Sequence, residues 1–137
     1  MQYYLDTNIL VFLLQNRDEI GSDVEPLLFD YGNLLYTSSV AIAELLLLFR
    51  IGKLEKKQFK TEQDLLDGLG QLGIEIVYFN EKHLVAYTNL KIKESHKDMN
   101  DHAIIAQAIA DKRAVIFSDR AFKHYVAQGL DFVFNKR

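Results

Sequence analysis

Short apolar stretches alternate along this chain with longer segments whose apolar residues recur at helical spacing. The first stretch, residues 3–5, is apolar and aromatic without alternation, which is typical of a strand buried on both faces. Further stretches of strand length follow, each bounded by polar or glycine residues. The pattern predicts strands at residues 3–5, 34–37, 74–79, 114–117 and 132–134.

Helix start signals follow several of these strands. The segment Asp6-Thr7-Asn8 places side chains that can accept hydrogen bonds from free backbone N–H groups directly after the first strand. Thr61 and Asp64 form a capping-box pattern further along the chain. These signals predict a first helix that runs to residue 15 and further helices at residues 24–31, 40–51, 61–69, 81–92, 100–111 and 121–128.

Strands that alternate with helices predict a parallel sheet covered by helices on both faces. The predicted fold class is therefore α/β, with three layers and a central sheet of four to five parallel strands. A chain of 137 residues without an internal repeat, a linker or a low-complexity tract is expected to form a single domain, residues 1–137.

The composition excludes several classes of protein. The absence of cysteine excludes disulfides, thiolate metal sites and a thiol nucleophile. No apolar run is long enough to span a bilayer and no signal peptide is visible, so we expect a cytoplasmic protein without a membrane partner. A formal net charge of −3 argues against a duplex-binding module with a basic face, but not against a nuclease with an acidic centre.

Four acidic residues occupy positions where a carboxylate needs an explanation. Asp6 and Asp119 end two predicted strands, at the edge where ligands bind in open α/β sheets. Asp101 lies in the first turn of a predicted helix, where the helix dipole favours an anion. Glu44 lies inside a predicted helix that is apolar nearly all round and is expected to be largely buried.

Each of these acids also has an ordinary explanation. Asp6 and Asp119 could be helix caps, Asp101 could complement a helix dipole, and Glu44 could pair with Arg50 or Arg113. Together they can converge on one cleft, with a mutual repulsion on the order of several kcal/mol per pair in a low dielectric. A divalent cation would remove this repulsion. Oxygen ligands without cysteine or paired histidine favour Mg²⁺ or Mn²⁺ over Zn²⁺.

Four segments of the chain, in order and at the expected spacing, resemble the PIN domain, and more closely the VapC-type toxins of bacterial and archaeal toxin–antitoxin systems. The segments are LDTN at 5–8, SVAIAEL at 39–45, DMNDHAIIAQA at 98–108 and IFSDRAF at 116–122. The resemblance implies a PIN-like three-layer fold over the whole chain. It also implies a metal-dependent endoribonuclease that cleaves single-stranded or structured RNA through one or two Mg²⁺ or Mn²⁺ ions.

The resemblance assigns roles residue by residue. The catalytic and metal-binding positions are Asp6, Glu44, Asp101 and Asp119; the supporting positions are Asn8 and Ser118. Asp98 matches a further acid of members with an Asp-Pro-x-Asp turn, and it is either a metal ligand or a loop or cap residue. This chain has Met99 where those members often have proline, so the rigidity of the turn is not carried over.

Other residues allow two interpretations. Arg120 and Lys123 could hold RNA phosphates, or they could lie on a solvated helix face. The lysines of the 53–60 connection could form an RNA-facing rim or be simply solvent-exposed. The histidines are scattered, and none is assigned as a general base because a metal-activated water makes one dispensable. Tyr3 and Tyr4 are expected in the core.

The resemblance also implies a VapB-type antitoxin as partner and a homodimer. Three alternatives remain open from the sequence. One is a PIN nuclease of RNA processing or decay without an antitoxin, and another is a non-catalytic RNA-binding module. The last is a phosphohydrolase or receiver-like domain with Asp6 as covalent nucleophile, for which a second acid at position 8 is missing.

Overall fold

The structure is a computed structural model that describes residues 1–136, and its strands form one five-stranded parallel sheet. The strands are β1 (Gln2–Leu5), β2 (Leu34–Ser38), β3 (Ile74–Val77), β4 (Ala114–Phe117) and β5 (Phe132–Phe134). Their spatial order is β3-β2-β1-β4-β5. In this register Leu5 lies between Thr37 of β2 and Ile116 of β4. The predicted α/β class with a parallel sheet is confirmed.

Helices connect the strands, as the sequence pattern predicts. They are α1 (Thr7–Gln15), α2 (Glu25–Phe29), α3 (Ser39–Arg50), α4 (Glu62–Gln71), α5 (Glu81–Asn89) and α6 (Met99–Asp111). The short helix predicted at residues 121–128 is a 3₁₀ helix over Arg120–Gln128, and we call it the C-terminal 3₁₀ segment. The structure describes no α-helix or strand between α5 and α6, and residues 90–98 there are called the 90–98 connection.

Several side chains set the element boundaries. Ser38 rather than Ser39 caps α3, because its Oγ accepts from the Val40 N–H at 3.0 Å. Ser39 Oγ instead accepts from the Phe79 N–H at 2.9 Å. This bond draws the chain away from the ladder after Val77, so β3 ends two residues before the prediction.

The core covers both faces of the sheet and includes Tyr3 and Tyr4, as predicted. The expectation that α3 is largely buried holds for one face of the helix only. Leu45 and Phe49 pack in the core, but Leu47 on the opposite face is 53% exposed. The helix therefore has one inward and one outward face, although its sequence is apolar on both.

A buried histidine links α5 to α6. His83 Nε2 lies 3.0 Å from each carboxylate oxygen of Asp111, the last residue of α6. Its Nδ1 accepts from the Asn80 N–H at 3.0 Å, which leaves the proton on Nε2 for Asp111. His83 is therefore a packing residue that joins two helices.

The strand order reverses between β1 and β4, where a crevice forms at the carboxyl ends of the strands in folds of this kind. The Asp6 N–H donates to the Ile116 carbonyl at 3.2 Å, so β1 and β4 stay paired up to this edge. Asp6 and Asp119 follow these two neighbouring strands. The topology thus places both acids at the crevice.

The basic connection at residues 53–60 lies elsewhere. The Glu55 N–H donates to Gln15 Oε1 at 3.0 Å, at the far end of α1 from Asp6. Nine helical residues separate the two ends by about 13 Å. The solvent-exposed interpretation of these lysines is therefore favoured over an RNA-facing rim. Within residues 1–136, no helix is long and apolar enough to cross a membrane.

Candidate metal centre at the carboxyl edge of the sheet

Asp6 is the buried carboxylate at the base of the crevice. Its side chain is 5% exposed, and one oxygen accepts from the Ile9 N–H at 3.1 Å, which caps α1. The cap explanation is therefore correct for this oxygen. A cap uses one carboxylate oxygen, however, and leaves the other for a different partner.

The electrostatics of Asp6 show that the other acids face it. Burial raises the pKa of Asp6 to about 8, and the bond from the Ile9 N–H opposes this shift. The charges of Asp101, Glu44 and Asp119 raise the pKa of Asp6 further. Charges act on one another in this way only at short range. The four sequence-predicted acids therefore lie within electrostatic range of one another around Asp6.

Asp101 lies in the first turn of α6 and is half-buried. Burial raises its pKa to about 6, and the charges of Asp98 and Asp119 contribute. A hydrogen bond from His96 opposes the shift, because it stabilises the ionised carboxylate. The helix-dipole explanation holds for its position, but it does not account for the neighbouring carboxylates.

Glu44 enters the centre from α3 and is half-buried rather than fully buried. Asn100 Nδ2 donates to Glu44 Oε2 at 2.8 Å. The alternative of an arginine partner is wrong, because Arg50 binds Glu62 and Arg113 donates to Gln2. Asn100 is a residue that the sequence analysis missed.

Asp119 stands at the open side of the centre. It is exposed, and its Oδ1 accepts from the Ala121 N–H at 2.9 Å, which caps the C-terminal 3₁₀ segment. Asp98 is also an exposed cap, because its Oδ1 accepts from the N–H groups of Asn100 and Asp101 at 3.0 and 3.3 Å. The cap role of Asp98 is thus observed, and a role as metal ligand stays a prediction.

His96 is a second residue beside the centre that the sequence analysis missed. It is buried, although it lies in the 90–98 connection and outside every predicted helix and strand. Its Nε2 lies 3.0 Å from Asp101 Oδ2, and His96, Asp101 and Asp119 each place a donor atom within 4.8 Å of the others. In the sequence, the only signal for His96 was its position five residues before Asp101. A loop has no periodicity that would indicate which of its side chains point inward.

The supporting residues line an open cavity beside Asp119. Asn8 and Ser118 face it together with Arg120 and Lys136. Ser118 Oγ accepts from the buried Asn135 at 3.2 Å, so its own proton is available to a ligand. Lys123 is exposed on the same 3₁₀ segment but does not line this cavity.

The donor set fits a divalent cation. Carboxylate oxygens dominate this set, and burial raises the pKa of one of the carboxyl groups, that of Asp6. No thiolate is present in the chain. Hard cations such as Mg²⁺ and Mn²⁺ prefer these ligands. In the described part of the chain, Thr7 Oγ1 is the one buried side-chain polar atom without a hydrogen-bond partner, and it directly follows Asp6.

A family model of the PIN domain matches residues 3–127. No curated protein matches the chain significantly. Among solved structures, a chain of VapBC2 from Rickettsia felis, bound to a DNA fragment from their promoter, is 26% identical with a TM-score of 0.68; the match covers 99% of this chain and 100% of that one.

Two further solved structures share the fold at lower identity. A chain of DNA-bound VapBC from Salmonella typhimurium is 18% identical with a TM-score of 0.70, and the match covers 99% of both chains. A chain of VapBC-5 from Mycobacterium tuberculosis is 19% identical with a TM-score of 0.62, and the match covers 97% of this chain and 98% of that one.

Proposed function

Because this chain belongs to the PIN domain family, we propose that it is a divalent-metal-dependent endoribonuclease and the toxin of a VapBC-type toxin–antitoxin pair. The observation that carries the proposal is the convergence of Asp6, Glu44, Asp101 and Asp119 on one crevice. Buried and mutually repelling carboxylates are costly unless a cation binds them. The similarity to chains of VapBC complexes supports the toxin role.

In this proposal the four carboxylates hold one or two Mg²⁺ or Mn²⁺ ions. When bound, a divalent ion supplies Lewis-acid activation of water and neutralises charge on the phosphodiester. Asn100 keeps Glu44 turned toward the centre through its 2.8 Å bond. Ser118, fixed by Asn135, presents a hydroxyl donor to a phosphate oxygen in the adjoining cavity.

The RNA backbone would run along the cations next to Asp119. Arg120 lines the cavity and stacks on the Phe134 ring, with its guanidinium carbon 4.6 Å from the ring centroid. Lys123 lies three residues further on, and Lys93 and Lys97 are exposed on the 90–98 connection. These cations offset the acidic centre locally, although the whole chain carries a net charge of −3.

Salt titrations test this path without cleavage. In an Asp6→Asn background, binding of single-stranded RNA is measured by fluorescence anisotropy between low and high salt. The log–log slope should be roughly −0.7 per phosphate contact, and Arg120→Ala and Lys123→Ala should each make it shallower. Lys57→Ala, at the far end of α1, is the matched control and should leave the slope unchanged. An affinity that does not depend on salt would contradict the phosphate contacts.

The partners follow from the same family. A VapB-type antitoxin would cover the crevice and block access of RNA. A homodimer would cover exposed apolar side chains such as Leu47 of α3 and Leu84 of α5, which are 53% and 55% exposed. Co-expression with the gene product encoded next to this chain should relieve growth arrest. If no such neighbour exists, a PIN nuclease of RNA processing would be the better assignment.

Sequencing of RNA ends tests the enzymatic proposal directly. Cells that express the wild type should accumulate new RNA ends, and cells that express Asp6→Asn should not, because Asn keeps the α1 cap but removes the charge. In vitro, chelator should abolish cleavage by the wild type and Mn²⁺ should restore it. Identical RNA ends from both proteins would refute the metal-dependent nuclease, and RNA binding without cleavage would indicate a non-catalytic module.

A further inference from the structure

A hydrogen-bonded chain that ends on Asp101 runs through two buried side chains, Tyr125 and His96. The Lys93 N–H donates to the Tyr125 hydroxyl oxygen at 3.1 Å. That hydroxyl lies 3.1 Å from His96 Nδ1, and His96 Nε2 lies 3.0 Å from Asp101 Oδ2. Tyr125 is 0% exposed and His96 is 6% exposed, so water competes little for these bonds.

The chain of bonds fixes the tautomer of His96. The Tyr125 oxygen already accepts one hydrogen bond, and a fully buried hydroxyl proton needs an acceptor. His96 Nδ1 is that acceptor, so the ring proton resides on Nε2 and is donated to Asp101. An Nε2 that carries this proton has no lone pair to offer a metal ion.

The His96 ring is held in place from its other sides. The His102 ring meets it edge-on with centroids 4.9 Å apart, and the Phe122 ring lies 5.8 Å away. His102 Nε2 also donates to the His96 carbonyl at 2.7 Å, which fixes the backbone of the loop. Gln128 exchanges two 2.8 Å bonds with the backbone of Lys91, so the 90–98 connection is tied to the C-terminal 3₁₀ segment.

We propose that His96, held by Tyr125, is a positioning residue that orients the Asp101 carboxylate for metal binding. The inference rests on the proposed function and deepens it. The imidazole N–H occupies Asp101 Oδ2, which leaves the other oxygen available to the centre shared with Asp119. The geometry thus distinguishes His96 from the acids that bind the ion themselves.

Calorimetric titration with Mn²⁺ tests the inference without any substrate. His96→Leu removes the donor and should weaken Mn²⁺ binding by roughly 10- to 100-fold, as for other partners of metal ligands. His96→Gln keeps an N–H at a similar place and should recover most of the affinity. Tyr125→Phe frees the ring to change tautomer and should give an intermediate loss. His124→Leu, an exposed histidine on the same 3₁₀ segment, is the matched control and should bind like the wild type.

A spectroscopic arm separates orientation from direct ligation. Pulsed electron paramagnetic resonance of the Mn²⁺-loaded wild type should show no coupling to a directly bound imidazole nitrogen. A strong coupling that disappears in His96→Leu would make His96 a ligand and overturn the positioning role. Circular dichroism and melting in chelator are recorded for every variant, so that the affinities compare folded proteins.

The outcomes separate the inference from the proposed function. A wild type that binds no Mn²⁺ overturns both. A wild type that binds Mn²⁺ and cleaves RNA, beside a folded His96→Leu that binds equally well, overturns the inference alone. If His96→Leu does not fold, the Mn²⁺ affinities of Tyr125→Phe and His96→Gln decide. The inference is overturned if Tyr125→Phe binds Mn²⁺ as tightly as the wild type, or if the N–H donor of His96→Gln does not recover the affinity.

Discussion

Replacing Asp6 by asparagine should stabilise the metal-free protein, and the gain should grow with pH. The native carboxyl group has a pKa of about 8, whereas an unfolded aspartate has a value near 3.8. Between these values the native protein holds a proton that the unfolded chain releases. The free energy of unfolding of the wild type therefore falls as the pH rises from about 4 to about 8.

The size of the effect follows from the same numbers. Each pKa unit corresponds to about 1.4 kcal/mol, so the wild type should lose up to about 6 kcal/mol over this range. Asparagine has no proton to exchange and caps a helix as well as aspartate does. The difference between Asp6→Asn and the wild type should thus be close to zero at pH 4. It should reach roughly 4 kcal/mol at pH 7, with local relaxation reducing this value.

The assay is urea unfolding followed by circular dichroism in chelator, at four values between pH 4.5 and 7.5. Asp30→Asn is the matched control, because Asp30 is exposed and its Oδ1 accepts from the Gly32 N–H at 2.8 Å, as an asparagine also would. It should remain within a few tenths of a kcal/mol of the wild type. Mn²⁺ at a hundredfold excess over Kd should narrow the difference, since it adds about 2.7 kcal/mol to the wild type and less to a variant that binds it more weakly. A constant difference between Asp6→Asn and the wild type across the pH range would refute the raised pKa of the buried Asp6 carboxyl group.

Two further predictions concern the binding of Mn²⁺ and the packing around Gly21. The affinity for Mn²⁺ should increase as the pH rises through 6 and 8, because Asp101 and Asp6 must lose their protons to bind it. Calorimetry in buffers of different ionisation enthalpy should record the released protons. An affinity that does not depend on pH would contradict this prediction. Gly21→Ala should destabilise the fold by about 1–3 kcal/mol, because a Cβ at this position would lie 2.3 Å from the Lys136 carbonyl oxygen. Gly70→Ala in α4 is the control: its Cβ would meet no atom within 4 Å, and it should stabilise the fold by about 0.5–1 kcal/mol. Equal urea midpoints for the two variants would refute the comparison.

The strands and the placement of Asp6 and Asp119 at their ends could be predicted because their signals are local. A buried strand is a run of apolar residues, and an acid that follows it directly is visible as a break in that run. Asp6 and Asp119 illustrate this, since each follows its strand in the sequence and neighbours the other in the sheet. The parallel topology then brings them together without further information.

The features that were missed depend on long-range contacts. His96 lies inward because Tyr125 binds its ring and His102 binds its backbone carbonyl. Neither contact can be read from the pattern of residues in a loop. Similarly, Leu47 looks like a core residue by composition and is exposed, because α3 packs on the sheet with its other face. The choice of Asn100 as partner of Glu44 likewise needs α3 and α6 to be adjacent, which no local pattern indicates.

The pairing of β1 with β4 has a consequence for the newly made chain. Asp119 is synthesised more than a hundred residues after Asp6, yet the two acids lie at the ends of paired strands. At about 5–20 residues per second, the interval between them is on the order of ten seconds. During this time a nascent chain contains β1 and its helix but has no fourth strand on which to close the crevice. The proposed metal centre is therefore incomplete on a nascent chain until β4 and Asp119 have been translated and have folded against β1.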